Sequence, residues 1–265
     1  MGILGYFLAA LVGISLGLIG GGGSILTVPI LVYIFMINPV MATSYSLFIV
    51  GSTALVGALN NYRKGLVSIK VALLFGLSSI TTVFITRKLI MPQIPDVLFS
   101  IGDFQIKQSM AIMVLFAILM LMASTAMIKG RKESVHMETK SSANDITRLL
   151  LFGVLVGLAT GFLGAGGGFL IIPALVLILK MPMKKAVGTS LLIIALNSLI
   201  GFTGDLGHIA IDWKFLLIIS SIAIAGIFIG GALAKKITGD KLKKGFGWFV
   251  LIMGIYIIIK ELFLT

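Results

Sequence analysis

The feature that most constrains this chain is an internal duplication. GLIGGGGSILTVPIL (17–31) returns as GFLGAGGGFLIIPAL (161–175), displaced by 144 positions, with seven of fifteen positions identical. Those seven are Gly17/Gly161, Gly20/Gly164, Gly22/Gly166, Gly23/Gly167, Leu26/Leu170, Pro29/Pro173 and Leu31/Leu175. The same displacement carries ATSYSLFI (42–49) onto AVGTSLLI (186–193), Gly57 onto Gly201 and Lys70 onto Lys214. A register kept over that distance identifies two copies of one unit.

What the unit is made of follows from composition. Hydrophobic residues make up 58% of the 265 residues and charged ones 11%, against about 25% charged in ordinary soluble domains. A soluble core has no use for so much apolar surface, whereas a bundle whose outer face meets lipid does. Apolar segments run at 3–19, 25–37, 41–60, 67–86 and 108–128, then at 149–163, 169–179, 186–203, 214–234 and 246–263. The expected fold is an all-α polytopic membrane protein with a first repeat over 1–128, a cytoplasmic linker over 129–148 and a second repeat over 149–265. The N-terminal run MGILGYFLAALVG has no basic lead and reads as the first segment of the fold.

Five segments per copy is an odd number, so the second copy is expected upside down relative to the first. Charge tests this independently. With the linker inside and sides alternating outward from it, fifteen Lys and Arg fall on the inner side, Lys70 at a segment start being left uncounted. Five fall outside: Arg87, Lys88, Lys107, Lys214 and Lys260. That is the positive-inside bias, and it puts both termini outside. The net charge of +12 is thereby read as topology determination, and no nucleic-acid partner is expected.

The candidate site is the pair of glycine clusters. Glycine runs at Gly20, Gly21, Gly22, Gly23 before Ser24, and at Gly164, Gly166, Gly167, Gly168, break their helices. Such a break survives at membrane depth only inside protein or a cavity. The runs that follow are short: about 13 residues, or about 20 Å at 1.5 Å per residue, cannot cross about 30 Å of hydrocarbon. Each copy is therefore expected to hold a re-entrant hairpin whose second helix aims amides and a partial positive charge at an anion. Ser44, Tyr45, Ser46, Thr189, Ser190 and Asn197 are the expected polar lining. Gly13/Gly17, Gly153/Gly157 and Gly226/Gly230 are assigned to helix packing.

Other chemistry is not expected. No Lys-Ser/Thr follows the glycines, which excludes a phosphate-binding loop. The chain has no cysteine, and His208 stands beside Asp205 and Asp212 with no second histidine near, so neither a metal nor a cofactor is expected. No nucleophile–base pair or carboxylate pair lies within the spans, so an enzyme is not expected either. Ionisable residues are expected only near segment ends. An anion exporter can do without them, because a dianion leaving a negative interior gains about 4.6 kcal/mol per 100 mV.

At GLIGGGGSILTVPIL, GFLGAGGGFLIIPAL, AVGTSLLIIALNS (186–198) and GHIAIDWK (207–214) leading into GGALAKKI, the chain resembles the TauE/SafE family of sulfite exporters. The resemblance covers nearly the whole chain and is weakest over 87–107 and the linker. It implies transport of a small inorganic or organic sulfur anion such as sulfite, thiosulfate or an organosulfonate across the cytoplasmic membrane. The partners are then that anion and the lipid bilayer, with homo-oligomer formation left open. An anion channel with a continuous pore is the alternative. The copies differ at Gly21/Ala165 and Ser24/Gly168, so two equivalent half-sites are not expected.

Overall fold

A computed structural model describes residues 3–101, 104–128, 143–177, 179, 181–234 and 239–263. It is mostly helical. The first copy begins with α1 (Ile3–Ile19), a tight 3-10 turn over Gly21–Leu26 and the short α2 (Thr27–Tyr33). Then come the long helices α3 (Pro39–Arg63), α4 (Ile69–Ile85) and α5 (Gln108–Ile128). The second copy runs α6 (Ala143–Leu163), α7 (Gly168–Leu177), α8 (Met183–Asp205), α9 (Trp213–Leu233) and α10 (Gly239–Phe263). The first six residues of α6 fall in the stretch expected as linker, and residues 129–142 of that stretch lie outside the described residues.

Two departures from an all-α reading occur between α4 and α5. The helix does not stop at Ile85: a π-turn (Thr86–Ile90) and a 3-10 turn (Met91–Gln93) carry it further. An antiparallel ribbon follows, β1 (Val97–Ile101) with β2 (Phe104–Lys107), in which Ile101 pairs with Phe104 and Val97 with Lys107.

Among the described residues, five helices are long and apolar enough to cross a membrane: Pro39–Arg63, Ile69–Gln93, Gln108–Thr125, Met183–Asp205 and Trp213–Leu233. Their faces are sorted for lipid, with Leu77 72% and Leu217 57% exposed while Thr43, Ser46, Thr53, Ser79 and Asn197 are buried. Polar groups inside and bare leucine outside is the reverse of a soluble domain, and it fits a hydrocarbon solvent. Local signals set the helix starts. Asn38 caps α3 by accepting from Val40 N at 2.9 Å with Pro39 at the first turn, and Asp212 caps α9 by accepting from Phe215 N at 3.0 Å.

Helix packing exchanges partners between the copies. α1 packs on α9, and its counterpart α6 packs on α4, while α3 packs on α8 and α5 on α10. The exchange holds residue by residue at the 144 displacement. Gly13 lies against the backbone of Ala223, and Gly157 against that of Ser79. Gly17 meets Gly230 where Gly161 meets Thr86, and Gly57 meets Ile227 where Gly201 meets Val83. Thr189 Oγ1 accepts from Ser68 N at 3.0 Å, and Tyr45 Oη accepts from Asp212 N at 2.8 Å. The small-residue pairs Gly13/Gly17 and Gly226/Gly230 thus meet across one interface, as close backbone packing requires.

Candidate functional site

The two glycine turns touch each other. Gly20 ends α1 at φ +75°, and its counterpart Gly164 ends α6 at φ +67°, a region that side chains avoid. Beyond them the backbones of Gly21 and Gly168 pack so closely that a Cβ on either would fall inside the other residue. The short helices leave from this contact, α7 from Gly168 directly and α2 only after the 3-10 turn. The second helix of the first copy therefore begins at Thr27.

Hydroxyl groups brace the turns. Ser24 Oγ donates to Gly21 O at 2.8 Å, and Ser46 Oγ donates to Gly164 O at 2.8 Å. Ser190, the counterpart of Ser46, donates to Val187 O at 2.8 Å and stands over Gly20, where a Cβ would come within 3.4 Å of its hydroxyl. Gly166 faces Ser198, Ile194 and Val50, each 3.0 Å from a Cβ built there, and Gly167 lies against Thr160 and Val156. Thr160 Oγ1, Ser198 Oγ and Thr27 Oγ1 are buried with no hydrogen-bond partner. A buried hydroxyl left without a partner costs about 1–3 kcal/mol. Ser198 and Thr160 lie against the second turn, at Gly166 and Gly167, and Thr27 follows the first; none of the three was expected at the site.

Not every expected residue joins this centre. Tyr45 and Thr189 hold the amides of Asp212 and Ser68, just before α9 and α4, and are consumed by that bracing. Tyr45 Oη also donates to Ala210 O at 3.4 Å. Asn197 Oδ1 accepts from Ser79 Oγ at 2.9 Å, and its Nδ2 is buried without a partner. Two surface clefts, one lined by Leu55, Ala58, Leu59, Tyr62, Val67, Ile69 and Leu192 and the other by Val56, Leu59, Asn60, Arg63 and Phe228, do not reach the turns.

Ser44 belongs to a cluster that holds a buried ion pair at two segment ends. Arg87, expected in a loop, is 1% exposed and packed inside the bundle. Its Nη1 donates to Asp205 Oδ2 at 3.1 Å and to Ser44 Oγ at 3.2 Å, and Ser44 in turn donates to Asp205. The pair ties the end of α4 to the end of α8. Its physical origin is the prolonged helix: the buried stripe Ala72, Phe75, Gly76, Ser79, Val83 repeats at helical spacing and carries on to Thr86 and Arg87. That periodicity was the available signal.

Residues 6–257 match the family described as sulfite exporter TauE/SafE. A probable membrane transporter protein of Xylella fastidiosa (strain 9a5c) is 32% identical over 255 residues, which cover 94% of this chain and 91% of that protein. The probable membrane transporter protein YdhB of Bacillus subtilis is 28% identical over 220 residues, covering 83% and 85%. Probable membrane transporter protein MJ0441 of Methanocaldococcus jannaschii is 35% identical over 114 residues, covering 41% and 43%. No solved structure matches. A doubled glycine break inside a lipid-sorted helical bundle, and sequence kinship from end to end with membrane transporters, lead to one conclusion: the chain is a membrane transporter of the TauE/SafE family.

Proposed function

We propose that this transporter carries a small sulfur-containing oxyanion, of the sulfite, thiosulfate or organosulfonate class, out through the cytoplasmic membrane, driven by the membrane potential. The observation that carries the reading is the contact of Gly21 with Gly168. It joins the two helix breaks, one from each copy, at a single point. The exchange of partners, α1 on α9 and α6 on α4, is what a two-fold relation between the copies produces. With five segments per copy the axis lies in the membrane plane and the copies are inverted. Each break is then a re-entrant turn, and the amides that lead into the 3-10 turn and α7 face a common substrate.

Carrier action is favoured over a continuous pore because backbone packing at Gly21 and Gly168 closes the route between the copies. Opening it requires the copies to move against each other, which is alternating access by repeat rocking. The family description, sulfite exporter, supports the substrate class. The test is flux from proteoliposomes loaded in turn with sulfite, thiosulfate and an organosulfonate under an imposed potential. Saturable efflux that quickens when the lumen is negative is expected. Unitary conductance steps would mean a channel, and no flux of any of the three would overturn the reading.

A further inference from the structure

Arg87 uses only part of its guanidinium. Nη1 is taken by Asp205 and Ser44, whereas Nε and Nη2 are closed off from solvent and have no partner. Nε–H and Nη2–H lie on one edge of the planar group and point the same way. This is the fork that binds two oxygens of one anion side by side. An internal ion pair has no need to leave that edge bare.

Arg87 is connected to the second glycine turn through its neighbours. Thr86 packs on Gly161, Gly164 packs on the backbone of Thr43, and Ser44, the next residue of α3, touches Arg87. At the counterpart position in the other copy the residues are Gly231, Asn61 and Gly188 in place of Arg87, Asp205 and Ser44. There a Cβ added to Gly188 would come within 3.2 Å of Asn61 Cβ, and nothing lies within 4 Å of one added to Gly231. One copy has a fixed cation at this position and the other a glycine.

We propose that the free edge of Arg87 is an oxyanion subsite, present beside one of the two turns only, that takes the sulfonate or sulfite group of the cargo as it passes the Gly164–Gly168 turn. The cargo class rests on the transport reading above. Asp205 has a second part: its negative charge beside the ligand limits how tightly the anion is held and so favours release. The position of the subsite at one end makes the two directions of passage chemically unequal.

Binding of methanesulfonate and of sulfite to the purified full-length protein in detergent, with neutral dimethyl sulfone as control, tests this by calorimetry and by thermal shift. Arg87→Lys keeps the charge but loses the fork, and should weaken methanesulfonate binding roughly tenfold or more. Asp205→Asn removes the repulsion and should tighten it by roughly tenfold. A merely structural ion pair predicts lower melting temperatures in both variants with unchanged affinities, and that result overturns the proposal. So does absence of methanesulfonate and sulfite binding by the unaltered protein. If Arg87→Lys fails to fold, the charge-free double variant Arg87→Gln/Asp205→Asn replaces it, and a retained methanesulfonate response there is equally fatal. Normal sulfite flux with Arg87→Lys binding as well as the parent removes the subsite and leaves the transport reading intact. Binding at Arg87 without flux in the parent protein does the reverse.

Discussion

The two ends of this bundle are built on the same backbone plan and differ in charge. At one end α4 reaches α8 through Arg87, Asp205 and Ser44, all buried. At the other, α9 and α3 supply Gly231 and Asn61, and α8 supplies Gly188. The hydrogen bonds next to these positions are nevertheless kept in kind, Ser68 N to Thr189 and Asp212 N to Tyr45. After duplication the helix interfaces have been retained, while the turns differ in backbone and the charge at Arg87 and Asp205 belongs to one end alone.

The comparison is most easily broken at its shared centre. Gly168→Val puts a branched side chain where the backbone of Gly21 lies. Total loss of flux is expected in protein that still reaches the membrane, read by proteoliposome assay beside a quantified blot; near-normal flux would separate the turns from the route. Next in size is the charged end. Arg87→Leu leaves Asp205 buried alone and should cost about 3–5 kcal/mol, of which the double variant Arg87→Leu/Asp205→Leu should recover most. Denaturation in detergent measures both, and equal losses in the two variants would mean that the pair does not act as a unit.

Two smaller effects sharpen the picture. Ser79→Ala removes the bond to Asn197 Oδ1 and should cost about 1 kcal/mol of stability. Its counterpart Ala223 makes no such bond, so the loss belongs to one copy alone. Smallest, adjacent glycines on α9 should respond with opposite signs. Gly231→Ala meets open space and should stabilise by up to about 1 kcal/mol, whereas Gly230→Ala runs into Ile14 O and should destabilise. Melting curves of the two variants decide this.

Much of the centre was legible because glycine placement is a backbone requirement, and backbone requirements survive duplication in register. The breaks at Gly20 and Gly164, the short helices after them and the packing glycines all follow from that. Arg87 was not legible from segment hydropathy, since Thr86-Arg87-Lys88 followed by Pro92 reads as an ending. A π-turn extends the helix through it, and only the buried periodicity from Ala72 onward points that way. Tyr45 and Thr189 were read as cavity lining because a hydroxyl in an apolar run invites that reading, while their partners, the amides of Asp212 and Ser68, are distant in sequence. The ribbon before α5 carried its own signal, β-branched and aromatic residues on both sides of Gly102-Asp103.

The central claim is that the copies are inverted, so that positions 144 apart face opposite sides of the membrane. Lys70 and Lys214 are such a pair, each exposed in the first turn of its helix, α4 and α9. Because the chain has no cysteine, Lys70→Cys and Lys214→Cys each offer a single thiol. An impermeant maleimide applied to intact cells should label Lys214→Cys and spare Lys70→Cys until the membrane is opened. Labelling of both from outside, or of neither, would contradict the account.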